Sequence, residues 1–434
     1  MRTSESCNIT NTKLERIAWL SSKDSTKEFD CLMHLFNEES LQRCYHQLNG
    51  NKAVGLDGVD KESYGKNLDN NLKELILSMK QMSYKPGNIR QVLISKEDKS
   101  NVKRSLGISN FEDKLVQKMM QRILESIYEP IFLDCSYGFR TGRSCHSAIK
   151  DLSKHLFSRP VSTVIDIDLE NFFGTLNHTK LIEILEVRIK DQRLIRYITR
   201  MLKSGVLTNG ELNISQEGAI QGSIVSPILA NTLAHYVIDK WFEEVAKVHC
   251  KGEIRLFRYC DDLCICCQYE SDAIRIKTAL AKRLSRFKLK MNQDKTKLVS
   301  FNRENSKRVS FNFLGFTFYW GKSRNGFRVP KVKTEGKRMR SKLKKVTQWI
   351  KEIRNRYKLK VIWQKFCIKL EGHVRYYGVS FNVYRVQAFI QHARRIVFKW
   401  LNRRSQKKSF SWEKFEKFVS ANPLPKARIC HEII

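Results

Sequence analysis

The sequence predicts an α+β protein whose strands crowd the middle of the chain and whose helices crowd both ends. Apolar residues recur at three- and four-residue spacing over long stretches, mostly toward the two ends. Short β-branched or aromatic runs bounded by turn residues lie between Gln91 and Val329. No internal repeat and no low-complexity linker occurs, and only 7 Pro are present, so domains must pass into one another through short connections.

In chain order, helical periodicity covers Leu68 to Met82, a short extended run follows at Gln91 to Ser95, and a second helix is predicted over Asp113 to Tyr128. Ser162 to Leu169 is β-branched and reads as a strand. Lys180 to Lys203 reads as one helix, and Pro227 to Val248 as another that opens with proline, as helices often do. Leu256 to Gln268 is a strand run broken by two acids, followed by a helix over Ser271 to Phe287. Lys297 to Asn302 and Asn312 to Trp320 are strand-like, with Lys322 to Gly326 as a hairpin loop before Phe327 to Val329. Helices over Lys337 to Arg354 and Tyr384 to Leu401 complete an α+β core domain carrying a mostly helical C-terminal domain.

The chain has 434 residues and 41% hydrophobic content, enough for two or three domains with a sizeable core. Its 80 Lys plus Arg outnumber 44 Asp plus Glu, leaving +36, which implies a polyanionic partner such as nucleic acid. From Lys331 to Ile434 there are 28 basic and 6 acidic residues, so most of the excess falls in the last quarter. The first residues lack the apolar core of a signal peptide, and no run of about 18 apolar residues occurs, so a soluble, cytoplasmic protein without membrane contact is expected. The 12 Cys are scattered, and the one cluster, Cys260, Cys264, Cys266 and Cys267, has no matching pair at zinc spacing. Reduced core thiols are expected.

The chemistry is concentrated in carboxylates on strands. Arg258 to Cys267 reads Arg-Tyr-Cys-Asp-Asp-Leu-Cys-Ile-Cys-Cys, which sets Asp261 and Asp262 inside an apolar run. Thr163 to Phe173 repeats the pattern with Asp166, Asp168 and Glu170 ahead of two phenylalanines. Flanks of this kind make a tight hairpin around Asp261 and Asp262, and a neighbouring strand can bring a third carboxylate, Asp166 or Asp168, beside them. Clustered carboxylates repel and raise one another's pKa unless a cation compensates. Mg²⁺ fits, because it takes oxygen ligands and is commonly shared between one or two carboxylates and the phosphates of a substrate.

At these residues the sequence resembles the reverse transcriptases, in particular the bacterial branch related to group II intron proteins. Tyr259-Cys260-Asp261-Asp262 resembles the family's Tyr-x-Asp-Asp box, and Asp166 to Phe173 its first palm motif. Gln221 to Pro227 is similar to the palm loop that contacts nucleotide and template. Lys96 and Arg104 to Ile108 resemble the fingers motif that grips the triphosphate, and Ser136 to Arg140 the next fingers segment. Asn292 to Lys297 resembles the Lys-Thr motif and Phe313 to Phe316 the primer grip. Asn51 to Gly58 resembles the N-terminal finger motif of the intron branch, and Gly372 to Gly378 its thumb. These motifs follow the family's order over roughly residues 40 to 410.

The resemblance implies a right-hand polymerase: an N-terminal extension with the first fingers motif over residues 1–85, fingers over 86–160, an antiparallel palm over 161–320, and a basic helical thumb over 321–434. It makes Asp168 the metal ligand and Phe173, five residues on, the gate against a ribose 2′-hydroxyl, with Asp166 second. Asp168, Asp261 and Asp262 would hold two Mg²⁺ ions, aided by the carbonyl of Leu169. Lys96 and Arg104 would neutralise the triphosphate, Gln221 would position the nucleotide, and Lys295 would protonate leaving pyrophosphate. Arg140, Gly315, Arg375, Tyr376, Tyr377, Arg394 and Arg395 are the expected nucleic-acid contacts, the thumb's aromatics being divided between core packing and stacking on bases. Three positions depart from the pattern: Gly174 where Asp often follows the gate, Ser223 for Gly in the palm loop, and Ser95 for Pro before Lys96.

The chain's end soon after the thumb-like region leads to the expectation that it carries no Cys/His-rich nuclease. With the departures, that favours similarity to the type 2 defence-associated reverse transcriptases. These copy a dedicated structured noncoding RNA into cDNA and confer resistance to phage. An intron maturase that also copies its intron is the alternative, and a non-catalytic RNA-binding splicing factor a reading from another class. The implied partners are the structured RNA template, dNTPs and the cDNA product.

Overall fold

The computed structural model describes residues 5–95, 103–208, 211–213, 217–218, 221–304, 309–404 and 411–433. In chain order the helices and strands are α1 Glu5–Lys23, α2 Glu38–Gln47, α3 Lys61–Gly65, α4 Leu68–Lys80, β1 Ile89–Ser95, β2 Lys103–Ile108, α5 Phe111–Tyr128, α6 Cys145–Ser158 and β3 Thr163–Asp168. Then come α7 His178–Glu186, α8 Gln192–Leu202, β4 Val206–Thr208, β5 Glu211–Asn213, α9 Ser226–Ala234, β6 Ile254–Tyr259, β7 Asp262–Cys267 and α10 Glu270–Arg286. The rest are β8 Lys297–Ser300, β9 Ser310–Phe313, β10 Phe316–Lys322, β11 Arg328–Thr334, α11 Gly336–Ile353, α12 Leu359–Tyr377, α13 Val383–Leu401 and α14 Trp412–Ala421. This is the mixed helix and sheet expected. No helix among the described residues is long and apolar enough to cross a membrane.

The chain forms two compact units. Unit 1 comprises Met1–Ser144, Ile167–Leu263 and Ile274–Thr296, and unit 2 comprises Cys145–Asp166, Cys264–Ala273 and Lys297–Ile434. In unit 1, α5 is the central helix: Leu115, Val116, Met119, Met120, Ile123, Leu124 and Ile127 are all fully buried. The unit also holds a four-stranded sheet ordered β2-β1-β4-β5, with β1 and β2 antiparallel and Ile94 paired with Arg104.

Two expected helices are interrupted. Lys180 to Lys203 breaks into α7 and α8 because Asp191 caps α8, accepting from the amides of Arg193 and Leu194. Its other oxygen accepts from the amides of Leu32 and Met33, at 2.7 and 3.0 Å. Beyond α9 the Pro227 to Val248 stretch continues as two π-helical turns, His235–Asp239 and Phe242–Ala246. Such turns shift the side-chain register, and Asp239 is thereby fully buried.

Unit 2 is built on a three-stranded antiparallel sheet, β11-β10-β9, followed by α11, α12 and α13. The run expected over Asn312 to Trp320 is two strands, because Leu314 and Gly315 both take positive φ and turn the chain back. Ile350, Ile362, Phe366, Val374, Val386, Ala393 and Val397 are fully buried between these helices. His373 is stacked on Phe389 at 3.6 Å within the same core.

The remaining sheet is ordered β6-β7-β3-β8. β8 runs antiparallel to β3, pairing Thr163 with Ser300 and Asp166 with Lys297. The amide of Ser162 donates to the carbonyl of Cys267 at 3.0 Å, so the start of β3 meets the end of β7. Two neighbouring strands joined that way must run antiparallel, and the end of β3 therefore meets the start of β7.

Candidate active site

The β6–β7 hairpin brings the first pair of acids into place. Its loop is Cys260 and Asp261, with Asp262 opening β7. Cys260 takes φ +58°, a conformation costly for a residue with a side chain and one that tightens the turn. Burial pushes its thiol up to about 12, with Arg258 opposing and the charges of Asp261 and Asp262 adding to the rise. Cys264, Cys266 and Cys267 are likewise buried thiols, as expected.

Beneath the turn Arg258 is wholly enclosed. Its Nε donates to Asp239 at 2.7 Å, Nη1 to Asn231 at 3.1 Å and Nη2 to the hydroxyl of Ser136 at 2.7 Å. The segment before the turn is also pinned from outside, because Tyr137 N–H donates to the Arg258 carbonyl and Arg258 N–H to that of Cys135. A Cβ on Gly138 would lie 2.3 Å from the Cys260 sulfur, so only glycine lets these two segments meet. Arg258, Asp239 and Asn231 were not among the sequence-level candidates.

Asp168 ends β3. With β3 antiparallel to β7, Asp168, the last residue of β3, lies at the end of the sheet where Asp262 opens β7. The Asp168 carboxylate is about one-third exposed and accepts from Lys295 Nζ at 2.7 Å. Lys295 is held there by the Asn292 turn: Asn292 N–H donates to the Asp168 carbonyl, and Asn292 Oδ1 accepts from Lys295 N–H. Asp166, the alternative ligand, instead faces Lys297 across the β3–β8 ladder.

Leu169 pairs with Met291 in an antiparallel bridge whose hydrogen bonds use Asp168 carbonyl and Glu170 N–H. Successive peptide groups of a strand point to opposite edges, so the Leu169 carbonyl faces away from Met291, toward the β7 side. Phe173 stands edge-on to Phe139 at 6.4 Å and to Phe172 at 5.8 Å. A Cβ on Gly174 would lie 2.2 Å from the side-chain nitrogen of Asn171, so any larger residue there requires the Asn171 side chain to move.

The Gln221 loop is fastened to β2. Gly107 N–H donates to the Gln221 carbonyl at 2.7 Å, and Gly222, at φ +111°, passes so close that a Cβ would meet the Gly107 carbonyl at 2.5 Å. Ser223 is half-buried, and its hydroxyl donates to Gln117 Oε1 at 3.1 Å, which also accepts from Ile224 N–H. The serine that departs from the common pattern thus anchors the loop. Gln117, itself held by Ser109, is a site residue that helical periodicity alone did not single out. Lys96 lies outside the described residues, and so does the side chain of Arg104.

Arg140 is a correction. Its guanidinium is buried, with Nε on Glu129 at 2.8 Å and Nη1 on the carbonyls of Leu133 and Ser136, so it braces the fold and presents no donor to a nucleic acid. Tyr377 is a second correction, being 1% exposed and packed on Phe316 within unit 2. In the same unit Tyr376 donates to the Leu314 carbonyl at 3.0 Å, and Gly315 at φ +79° lies against Arg338 and the Tyr377 hydroxyl. Arg394 pairs with Glu416 at 2.7 Å beneath Trp412. Arg375 is exposed and paired with Glu371, and Arg395 is exposed. Many aromatics of unit 2 carry the chain's own cations on their faces, such as Lys369 over Trp349 and Lys365 over Tyr357.

Among the described residues no three His, Cys, Asp or Glu side chains stand arranged around a single ion position. The donor chemistry nevertheless fits a hard divalent cation: the Asp168 carboxylate is reachable from solvent and already holds a cation in the form of the Lys295 ammonium. An exposed ion pair of that kind is weak and exchanges readily.

The profile of the family described as reverse transcriptase (RNA-dependent DNA polymerase) matches residues 94–318, more than half of the chain. The chain is 34% identical over 229 residues to the group II intron-encoded protein LtrA of Lactococcus lactis subsp. cremoris, covering 52% of this chain and 38% of that protein. It is 37% identical over 214 residues to an uncharacterized 91 kDa protein in the cob intron of Schizosaccharomyces pombe, covering 49% of this chain and 26% of the relative. Protein YkfC of Escherichia coli strain K12 is 29% identical over 309 residues, 64% of this chain and 78% of YkfC. The chain thus spans well under half the length of the first two relatives.

Proposed function

Because the chain belongs to the reverse transcriptase (RNA-dependent DNA polymerase) family, we propose that it copies RNA into DNA, with Asp168, Asp261 and Asp262 as the acidic set for two Mg²⁺ ions and the Leu169 carbonyl as a further oxygen ligand. The observation that carries this is the antiparallel β3–β7 pairing, which puts an aspartate from each strand at one end of the sheet. Bound divalent ions supply the positive charge that favours an ionised primer 3′-hydroxyl and a departing pyrophosphate.

The remaining steps belong to the chain's own groups. The Gln221–Gly222 loop positions the incoming nucleotide, and Phe173 rejects a ribose by closing on the space beside its 2′ carbon. Lys295, which meets Asp168 through an exposed ion pair, donates a proton to pyrophosphate. Residues 86–160 act as fingers, 161–320 as palm and 321–434 as a thumb along the template duplex.

As template we propose a dedicated structured noncoding RNA, copied into cDNA as part of phage defence. The charge of the last quarter, +22 from 28 basic and 6 acidic residues, supports persistent RNA binding. A second reading, an intron maturase, is favoured by the intron-encoded relatives. Sequencing the RNA that co-purifies with the protein separates the two: a compact noncoding RNA with its cDNA supports defence, and intron RNA supports the maturase.

The polymerase itself is tested by primer extension. D261A/D262A should reduce dNTP incorporation to background while RNA binding persists. Incorporation at the wild-type rate would overturn the assignment.

A further inference from the structure

Phe139 combines two features that rarely occur together. Its φ is +55°, a left-handed conformation that a bulky residue seldom adopts, and its side chain is 59% exposed. Both of its neighbours are fixed. Gly138 passes so close to the β6–β7 turn that a Cβ would lie 2.8 Å from the Cys260 amide nitrogen, and its carbonyl accepts from Asn231 Nδ2 at 2.7 Å. Arg140 is enclosed, bound to Glu129 and to the carbonyls of Leu133 and Ser136. Residue 139 takes the turn between these two anchors, and the turn points its ring outward.

The anchors explain how the strained conformation is held. They do not explain why phenylalanine occupies it. Glycine would take the same φ without strain, and a ring that is mostly in solvent adds little to a core. Strain retained at a position that packing does not require points to function. The ring stands edge-on to Phe173 at 6.4 Å and 83°, within the range of a favourable aromatic pair. Phe173 also meets Phe172 edge-on at 5.8 Å, and Phe172 is buried. The half-buried Phe173 ring therefore has one aromatic neighbour in the core and one turned out from the surface, all within unit 1. A ring rejects an extra hydroxyl by bulk only while it cannot turn to another staggered rotamer.

We propose that Phe139 is the positioning residue for sugar selection: its edge contact holds the Phe173 ring in the rotamer that excludes a ribose. The proposal rests on Phe173 as the gate, as given above, and assigns the group that keeps the gate from swinging away.

The test is single-nucleotide addition by the full-length chain to a primer on an RNA template, with kcat/KM measured for dCTP and for CTP. F173A should narrow the preference for dCTP about 100-fold. F139A should narrow it about tenfold, through more efficient addition of CTP, and F139Y, which keeps the ring, should retain it. F139A/F173A should be no more permissive than F173A, because Phe139 acts through Phe173. Both rates come from one sample, so partial unfolding lowers them together and leaves their ratio. Wild-type preference in F139A beside a permissive F173A would overturn the positioning role and leave the gate. Effects that multiply in the double variant, or an F139Y as permissive as F139A, would do the same. Wild-type preference in F173A would remove the gate itself, and the positioning role with it.

Discussion

Asp168 and Lys295 touch across 127 positions of sequence, at a place open to solvent. An exposed pair contributes roughly 0–1 kcal/mol, so K295A should leave the urea midpoint nearly unchanged. If Lys295 delivers the proton to pyrophosphate, turnover should nevertheless fall about 100-fold, with partial recovery in K295R; primer-extension rates measure both. Asp113 behaves differently. Burial raises its carboxyl to about 6, although the Tyr84 hydroxyl and Gly87 N–H favour the ionised form. The folded protein therefore holds this proton more tightly than the unfolded chain, so stability declines as pH rises from about 4 to about 6, by about 2–3 kcal/mol. Urea melts across that range should show the decline, and D113N should lack it. At this scale the acids were legible because charges within β-branched runs are conspicuous. Arg140 and Gln117 were not, since a buried arginine and a loop-anchoring glutamine acquire their partners only through tertiary contact.

Among the elements, amphipathic helices such as α5, α10 and α13 matched their periodicity closely, because one apolar face decides the outcome. The stretch from Lys180 to Lys203 did not, because Asp191 supplies a better end than continuation: one carboxylate meets two α8 amides and two more from Leu32 and Met33. D191A should lose about 2–4 kcal/mol, more than a cap alone, because it strands buried amides as well; denaturant unfolding measures this. α12 carries Ile362, Trp363, Phe366, Leu370, Val374 and Tyr377 on one buried face at helical spacing, so it was as readable as the others, and the sequence reading passed over it. The hairpin at Cys260–Asp261 was legible because two acids interrupt an apolar run, whereas the turn at Leu314–Gly315 was hidden inside a strand-like pattern, and the positive φ of Cys260, Leu314 and Gly315 is not visible in sequence.

For the whole molecule, the order of helical and strand-like patterns correctly pointed to a mixed α and β fold, while the division into units was beyond its reach. Pattern reasoning assumes that neighbours in sequence belong together, yet unit 2 draws on three separated segments. That interleaving bears on how the protein is made. β3 emerges from the ribosome well before β8, its antiparallel partner through Thr163–Asp166 and Lys297–Ser300. At about 5–20 residues per second the wait is roughly ten seconds, and for most of it β3 lacks both of its sheet neighbours, β7 and β8. A nascent chain stalled in that interval exposes a sticky ribbon, so chaperone capture should be most frequent for polysomes paused between those two strands.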